Sequence, residues 1–243
     1  MFLTGARLEG CVLKGGVNLR YFFGSVRYSN DLDLNVPGPA DFRLGDAVDA
    51  VLKGPALRKV LAIPRVGIDE GSISRPKQTD TTRRWRLALV DLGNPRATPV
   101  RAKIELSARG DDSDDREVEA VPPSVVRPYG LVQPTVAHYR LTAAIEQKIA
   151  ALALRSETKA RDVFDLDLLF RLGDRLETRA QLVAEWTEPA ADRAIELTDA
   201  DFAGKSSPSS IPTSPRRTGS RARGGGCVTR SPNASCRSRR RAT

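Results

Sequence analysis

The sequence predicts an α+β fold, a mixed sheet with helices over residues 1–130 followed by an all-helical part over 131–203. The first observation behind this is the strict alternation of Asp31-Leu32-Asp33-Leu34-Asn35-Val36, which puts polar groups on one face of a strand and apolar groups on the other. The second is the change of character at Pro134, beyond which the chain is Ala/Leu-rich with helical periodicity and no strand signal. The composition is that of a globular chain, with 40% apolar and 28% charged residues in a length of 243.

Taken in order, Lys14 to Gly24 carries apolar residues at helical spacing behind Gly15-Gly16, so a turn feeding a helix is expected. The alternating strand over 31–36 follows, ended by Pro37, Gly38 and Pro39. Residues 40–53 read as a helix. The stretches 58–69, 83–92 and 99–107 read as further strands of one mixed sheet, with polar turns or loops over 71–82 and 110–115. Helices are expected over 135–155, 158–172 and 176–186, with the boundary between the two parts near Pro128 to Pro134.

Charge is unevenly spread. Of 39 basic residues, ten lie between Lys205 and Arg241, a stretch without a single acid. The remaining body is nearly neutral, so the overall charge of +9 belongs to the tail rather than to a basic face of the folded part. Residues 204–243 are Ser/Pro/Arg/Gly-rich with few large apolar groups, and are expected to be disordered. They read either as an arginine-rich arm with salt-sensitive affinity for nucleic acid or as an out-of-frame translation of GC-rich DNA. No run approaches the roughly 18 apolar residues of a spanning helix, and the N-terminus lacks a signal-peptide layout, so a cytoplasmic protein without membrane contact is expected. Three cysteines and the single His138 leave no Cys/His set for a zinc site and no triad for a Ser or Cys hydrolase.

The chemistry points instead to carboxylates. Asp31 and Asp33 project from one face of a strand about 7 Å apart, a hard-oxygen pair suited to Mg²⁺. A plain polar edge strand is the alternative. Glu105, in the alternating Val100 to Ser107, shares its face with Lys103 and Arg101. Were that strand to lie beside the first, Asp31, Asp33 and Glu105 would form a cluster able to hold two Mg²⁺. Gly15 and Gly16 would let backbone N–H groups at a helix start approach an anion, though a lone Gly-Gly is more often a plain turn. Arg27 and Ser29 could contact phosphates from the loop leading into the Asp strand. Lys148 sits beside an apolar helical stripe, either snorkelling or turned inward to a triphosphate. Asp162 and Asp165 share one helical face, where pairing with Arg155 or Arg161 would be purely structural. P-loop, dinucleotide-binding, EF-hand and protein-kinase signatures are all missing.

Together, LKGGVNLRYFFGSVRYSNDLDL, KIELS and EQKIAALALRSETKARDVFDLDLL closely resemble the AbiEii/AbiGii toxin family of nucleotidyltransferases. The resemblance implies a polymerase-β-like nucleotidyltransferase core with a helical C-terminal domain. It also implies a toxin of a bacterial toxin–antitoxin or phage-defence system, some members of which transfer nucleotides from an NTP to the tRNA 3′ end. Position by position it implies that Gly15 and Gly16 face the triphosphate and that Asp31, Asp33 and Glu105 hold metal. Lys148 would contact phosphate, and Asp162 would act as base or structural partner. A cognate antitoxin would be the protein partner. Two departures stand out: only thirteen residues precede Lys14, and the tail differs from the family's helical ending. The competing expectation is a catalytically silent relative that binds nucleic acid through that tail.

Overall fold

The computed structural model describes residues 10–36, 38, 42–108, 113–175 and 184–203. All of them fall within one compact unit. Among the described residues seven strands form one sheet: β1 (Val12–Lys14), β2 (Asp31–Val36), β3 (Val66–Gln78), β4 (Thr82–Asp91), β5 (Val100–Ala108), β6 (Arg116–Ala120) and β7 (Thr135–Tyr139). Their spatial order is β3-β4-β5-β2-β1-β7-β6. The sheet is mixed, with β2 parallel to β5 and β1 parallel to β7 while the neighbouring pairs run antiparallel.

The alternation of β2 settles which face is which. Leu34 and Val36 pack with Ile104 and Leu106 of β5 and with Trp85 and Leu87 of β4, and all six are buried. Helix α2 (Phe42–Lys53) covers this face with Val48 and Leu52. Each such fully buried side chain contributes roughly 1.5–3 kcal/mol. Trp85 donates its indole N–H to Asp49 Oδ1 of α2 at 2.9 Å, satisfying the one polar group of a completely buried ring.

Helix α1 (Gly15–Phe22) packs Val17, Tyr21 and Phe22 against the same cluster, while on the other face Ala143 of α5 (Leu141–Leu154) packs with Val12 of β1 and Tyr139 of β7; α6 (Ala160–Arg175) and α7 (Ala184–Ile195) follow α5. A second apolar cluster joins Leu19 of α1 to Ile145, Ile149 and Leu152 of α5, Leu166 and Leu169 of α6, and Ala190 of α7. The short α3 (Pro55–Ala62), α4 (Pro123–Val126) and α8 (Asp199–Ala203) complete the α-helices of the described residues. No helix among them is long and apolar enough to cross a membrane.

Several local readings are corrected. The strand expected over 58–69 begins only at Val66; residues 58–62 belong to α3, which Gly54 caps and whose first position Pro55 takes, where a missing N–H costs nothing, and 63–65 form a turn. The polar stretch read as a loop from Gly71 is strand as far as Gln78. It reads as a loop because β3 is the sheet edge, where Pro76 and bulges are tolerated; its register shifts between Asp69 and Ser74 and again before Lys77. Thr135–Tyr139, read as the start of a helix, is strand β7, with Val136, His138 and Tyr139 buried. The Ala/Leu periodicity of α5 runs on from it and masks its alternation. Strand β6 was not anticipated at all. The 176–186 helix lies largely outside the described residues, as do the 110–115 loop in part and the tail from 204.

Candidate functional site

The parallel pairing of β2 with β5 sets Asp31 opposite Lys103 and Asp33 opposite Glu105. Strand β1 brings Lys14 opposite Asp33 from the other side, and β4 brings Arg84 opposite Glu105. Because paired residues share a face, three acids and three bases from four adjacent strands crowd one patch. At its centre is the Lys103 ammonium. Its Nζ lies 2.9 Å from Asp33 Oδ1, 3.5 Å from Glu105 Oε2 and 3.6 Å from Asp31 Oδ2. Arg84 forks onto Glu105 Oε2 through Nε and Nη2, at 2.8 and 2.7 Å.

These contacts move the titrations. Burial pulls the Lys103 amine down, but Asp33, Asp31 and Glu105 outweigh it and leave it above the usual lysine value. Burial pushes the Glu105 carboxyl up, and Lys103 and Arg84 more than reverse that. Both groups are therefore ionised at neutral pH.

The glycines stand directly over this patch. Gly15 opens α1 with φ +68°, and a Cβ there would meet Asp33 Oδ2 at 2.9 Å. A Cβ on Gly16 would lie 2.8 Å from Ser29 Cβ and 3.1 Å from Arg27 Nη2. Only glycine fits both a left-handed turn and so close an approach. Ser29 closes the turn into β2: its Oγ accepts from the Asp31 amide at 3.3 Å.

The remaining candidates form a second cluster joined to the first by Arg27. The Arg27 guanidinium donates to both Asp165 oxygens, at 3.1 and 2.7 Å. Lys148 of α5 donates to Asp165 Oδ2 at 2.6 Å and to Asp162 Oδ1 at 2.8 Å, and Arg155 pairs with the other Asp162 oxygen. Asp162 and Asp165 are completely enclosed by α5 and α6. Burial raises the Asp162 carboxyl, yet Lys148 foremost, with Arg155 and Arg161, holds it below the usual aspartate value. Thus the Arg155 pairing weighed as a structural role for Asp162 is present, and Lys148 and Arg27 reach carboxylates. Sequence reasoning missed Asp165 as a site residue. Its spacing of three from Asp162 on one helical face was the available signal. Lys103 and Arg84 were likewise undervalued, because only the strand order shows that they converge on the acids.

Clustered strand carboxylates beneath a glycine-opened helix, on a mixed sheet backed by helices, are the makings of a nucleotidyltransferase. Residues 3–218 match the model of the nucleotidyl transferase AbiEii toxin of type IV toxin–antitoxin systems, and the chain belongs to that family. The match runs fifteen residues past Ala203, into the arginine-rich segment. Among solved structures, JHP933 from Helicobacter pylori is similar at 21% identity and TM-score 0.44, over 80% of this chain and 89% of that one. An antigenic nucleotidyltransferase-like protein from Paracoccidioides brasiliensis is similar at 13% identity and TM-score 0.40, over 83% and 88% respectively. No curated protein matches the chain in sequence.

Proposed function

We propose that this nucleotidyltransferase moves a nucleotide from an NTP to the 3′ end of tRNA, in the cytoplasm, as the toxin of a toxin–antitoxin or phage-defence pair with a cognate antitoxin. The observation that carries the reading is the convergence of Asp31, Asp33 and Glu105 on a single cation, the Lys103 ammonium, beneath Gly15.

That donor set fits Mg²⁺. Three carboxylates supply hard oxygens, and the point on which they converge already holds a positive charge. Asp31, Asp33 and Glu105 would hold two ions, which supply Lewis acidity at the α-phosphate and lower the pKa of the attacking hydroxyl. The chain's own groups do the rest. Gly15 and Gly16 keep side chains out of the approach, and the first-turn N–H groups of α1 face the phosphates. With metal held by these carboxylates, Lys103 would be freed from them and its ammonium would lie beside the triphosphate. Lys148 and Arg27 are fixed by Asp162 and Asp165, so their positive charge is presented from a pre-set position.

The test is incubation of the full chain with Mg²⁺, each α-³²P-labelled NTP in turn and total tRNA, beside an Asp31→Ala control. Label on tRNA that needs Asp31 supports the reading. A folded protein that leaves tRNA unlabelled with every NTP refutes the tRNA acceptor. RNA retention that persists without labelling, and is lost on truncation at residue 203, would favour the silent tail-driven binder.

A further inference from the structure

His138 is the only histidine of the chain, and it is almost wholly enclosed, with 1% of its side chain exposed. Phe22, the last residue of α1, stacks on its ring at 3.6 Å between centroids and 3° between planes, and Phe23 meets it edge-on. The ring is thus held in one orientation. Its Nδ1 lies 3.0 Å from the Tyr139 carbonyl oxygen, which also accepts from Asn18 Nδ2. A carbonyl only accepts, so Nδ1 carries the proton and Nε2 presents a lone pair. Among the described residues that Nε2 has no hydrogen-bond partner.

What it faces is acidic. In the β6/β7 register Glu117 pairs directly with His138, and Glu119, two residues on, shares the same face. Glu119 Oε2 stands 3.8 Å from Nε2, and one oxygen of each glutamate and a ring nitrogen of His138 all lie within 4.8 Å of one another. Two acceptors, a buried lone pair and a carboxylate, therefore point at each other with no proton between them. A cation set between them relieves it. Donors about 2.0 Å from one tetrahedral ion stand roughly 3.3 Å apart, so only a small adjustment of the half-exposed glutamates is needed. Arg140 Nε occupies Glu117 Oε1 at 3.2 Å and leaves the second oxygen to ligate.

We propose that Glu117, Glu119 and His138 form a second metal site, separate from the Asp31/Asp33/Glu105 cluster and selective for a divalent transition ion of the zinc class. One imidazole nitrogen with two carboxylates suits such an ion, whereas Mg²⁺ favours an all-oxygen octahedron. The Nδ1–H bond to the Tyr139 carbonyl is the outer-sphere contact that fixes a ligating histidine. Three protein ligands leave a coordination position for water. The site ties edge strand β6 to β7, and it anchors the far end of the helix whose first residues are Gly15 and Gly16.

One histidine gives one imidazole signal, which makes the test direct. Full-length chain labelled with ¹⁵N-histidine is titrated with Zn²⁺ in excess Mg²⁺, following the two ring nitrogens by NMR, beside the double variant Glu117→Gln/Glu119→Gln. The expected result is a shift of Nε2, saturating at one equivalent, with Nδ1 still protonated. The double variant should need on the order of 100-fold more Zn²⁺ or above, since loss of even an outer partner costs roughly 10- to 100-fold. Glu119→Gln alone serves if the double variant does not fold. Zn²⁺ bound at cysteines leaves the imidazole unmoved. An Nε2 signal that stays put in excess Zn²⁺, a shift at Nδ1 instead, or a variant that titrates like the wild type would each overturn the proposal.

Discussion

Replacing Lys103 by methionine tests whether its ammonium stands where metal belongs. At an effective dielectric near 20, unit charges about 3 Å apart attract by ~5 kcal/mol, most of which desolvation offsets. Lys103 is 24% exposed and its three partners 15–30%, so the net loss is expected at about 2–3 kcal/mol, the range for a hydrogen bond between charged groups. The pH dependence follows from the two shifts. Lys103 is raised above 10.5, so its contribution is complete below that pH and is lost as pH rises through the folded value. Glu105 is lowered below 4.5, so its contribution is present above that pH and is lost as pH falls through the folded value. Urea unfolding should therefore show the full deficit at pH 7 and a smaller one near pH 3. Added Mg²⁺ should stabilise Lys103→Met more than the wild type, because the variant's carboxylates have no ammonium to release. Equal stabilisation of both proteins, or greater stabilisation of the wild type, would show that Lys103 and metal do not compete.

Three further substitutions probe the rest of the site. Asp33→Ala should lower nucleotide transfer by roughly 100-fold or more, above what an outer partner of a metal ligand is worth, and should stay folded with a loss of at most about 2–3 kcal/mol, since Lys103 keeps Asp31 and Glu105; an unfolded variant would mark the carboxylate as structural. Gly16→Ala should destabilise by about 1–3 kcal/mol and raise KM for NTP, as Ser29 and Arg27 are pushed aside; unchanged KM would remove the glycine from the triphosphate approach. Asp165→Asn should cost about 3–5 kcal/mol by leaving Lys148 and Arg27 short of a fully enclosed partner, read as a lowered urea midpoint, and a change under 1 kcal/mol would show that the cluster is not a stabilising one.

The site's carboxylates were legible because a strand's period of two writes its faces directly into the sequence. Asp31, Asp33 and Glu105 could be placed on polar faces before any strand order was known, and the β2/β5 pairing then joined them. What the sequence hid was long-range. Arg27 and Asp165 are 138 positions apart, and no local pattern ties an arginine in a loop to an aspartate inside a helix. Strand β7 is five residues long and abuts α5 with only Arg140 between, so the stronger helical periodicity overran it. Edge strand β3 reads as loop because solvent supplies what apolar neighbours supply elsewhere. His138 gave no metal-ligand spacing because its two candidate partners come from a strand the periodicity did not show.

The place of β1 in the sheet bears on how the chain is made. Val12 pairs with Ala137, so one side of β1 must wait for β7, the last strand of the described residues. At roughly 5–20 residues per second, a ribosome takes about 6–25 s to cover that interval. Throughout it the nascent chain carries an open strand edge, next to the aspartates, that any other β segment can claim.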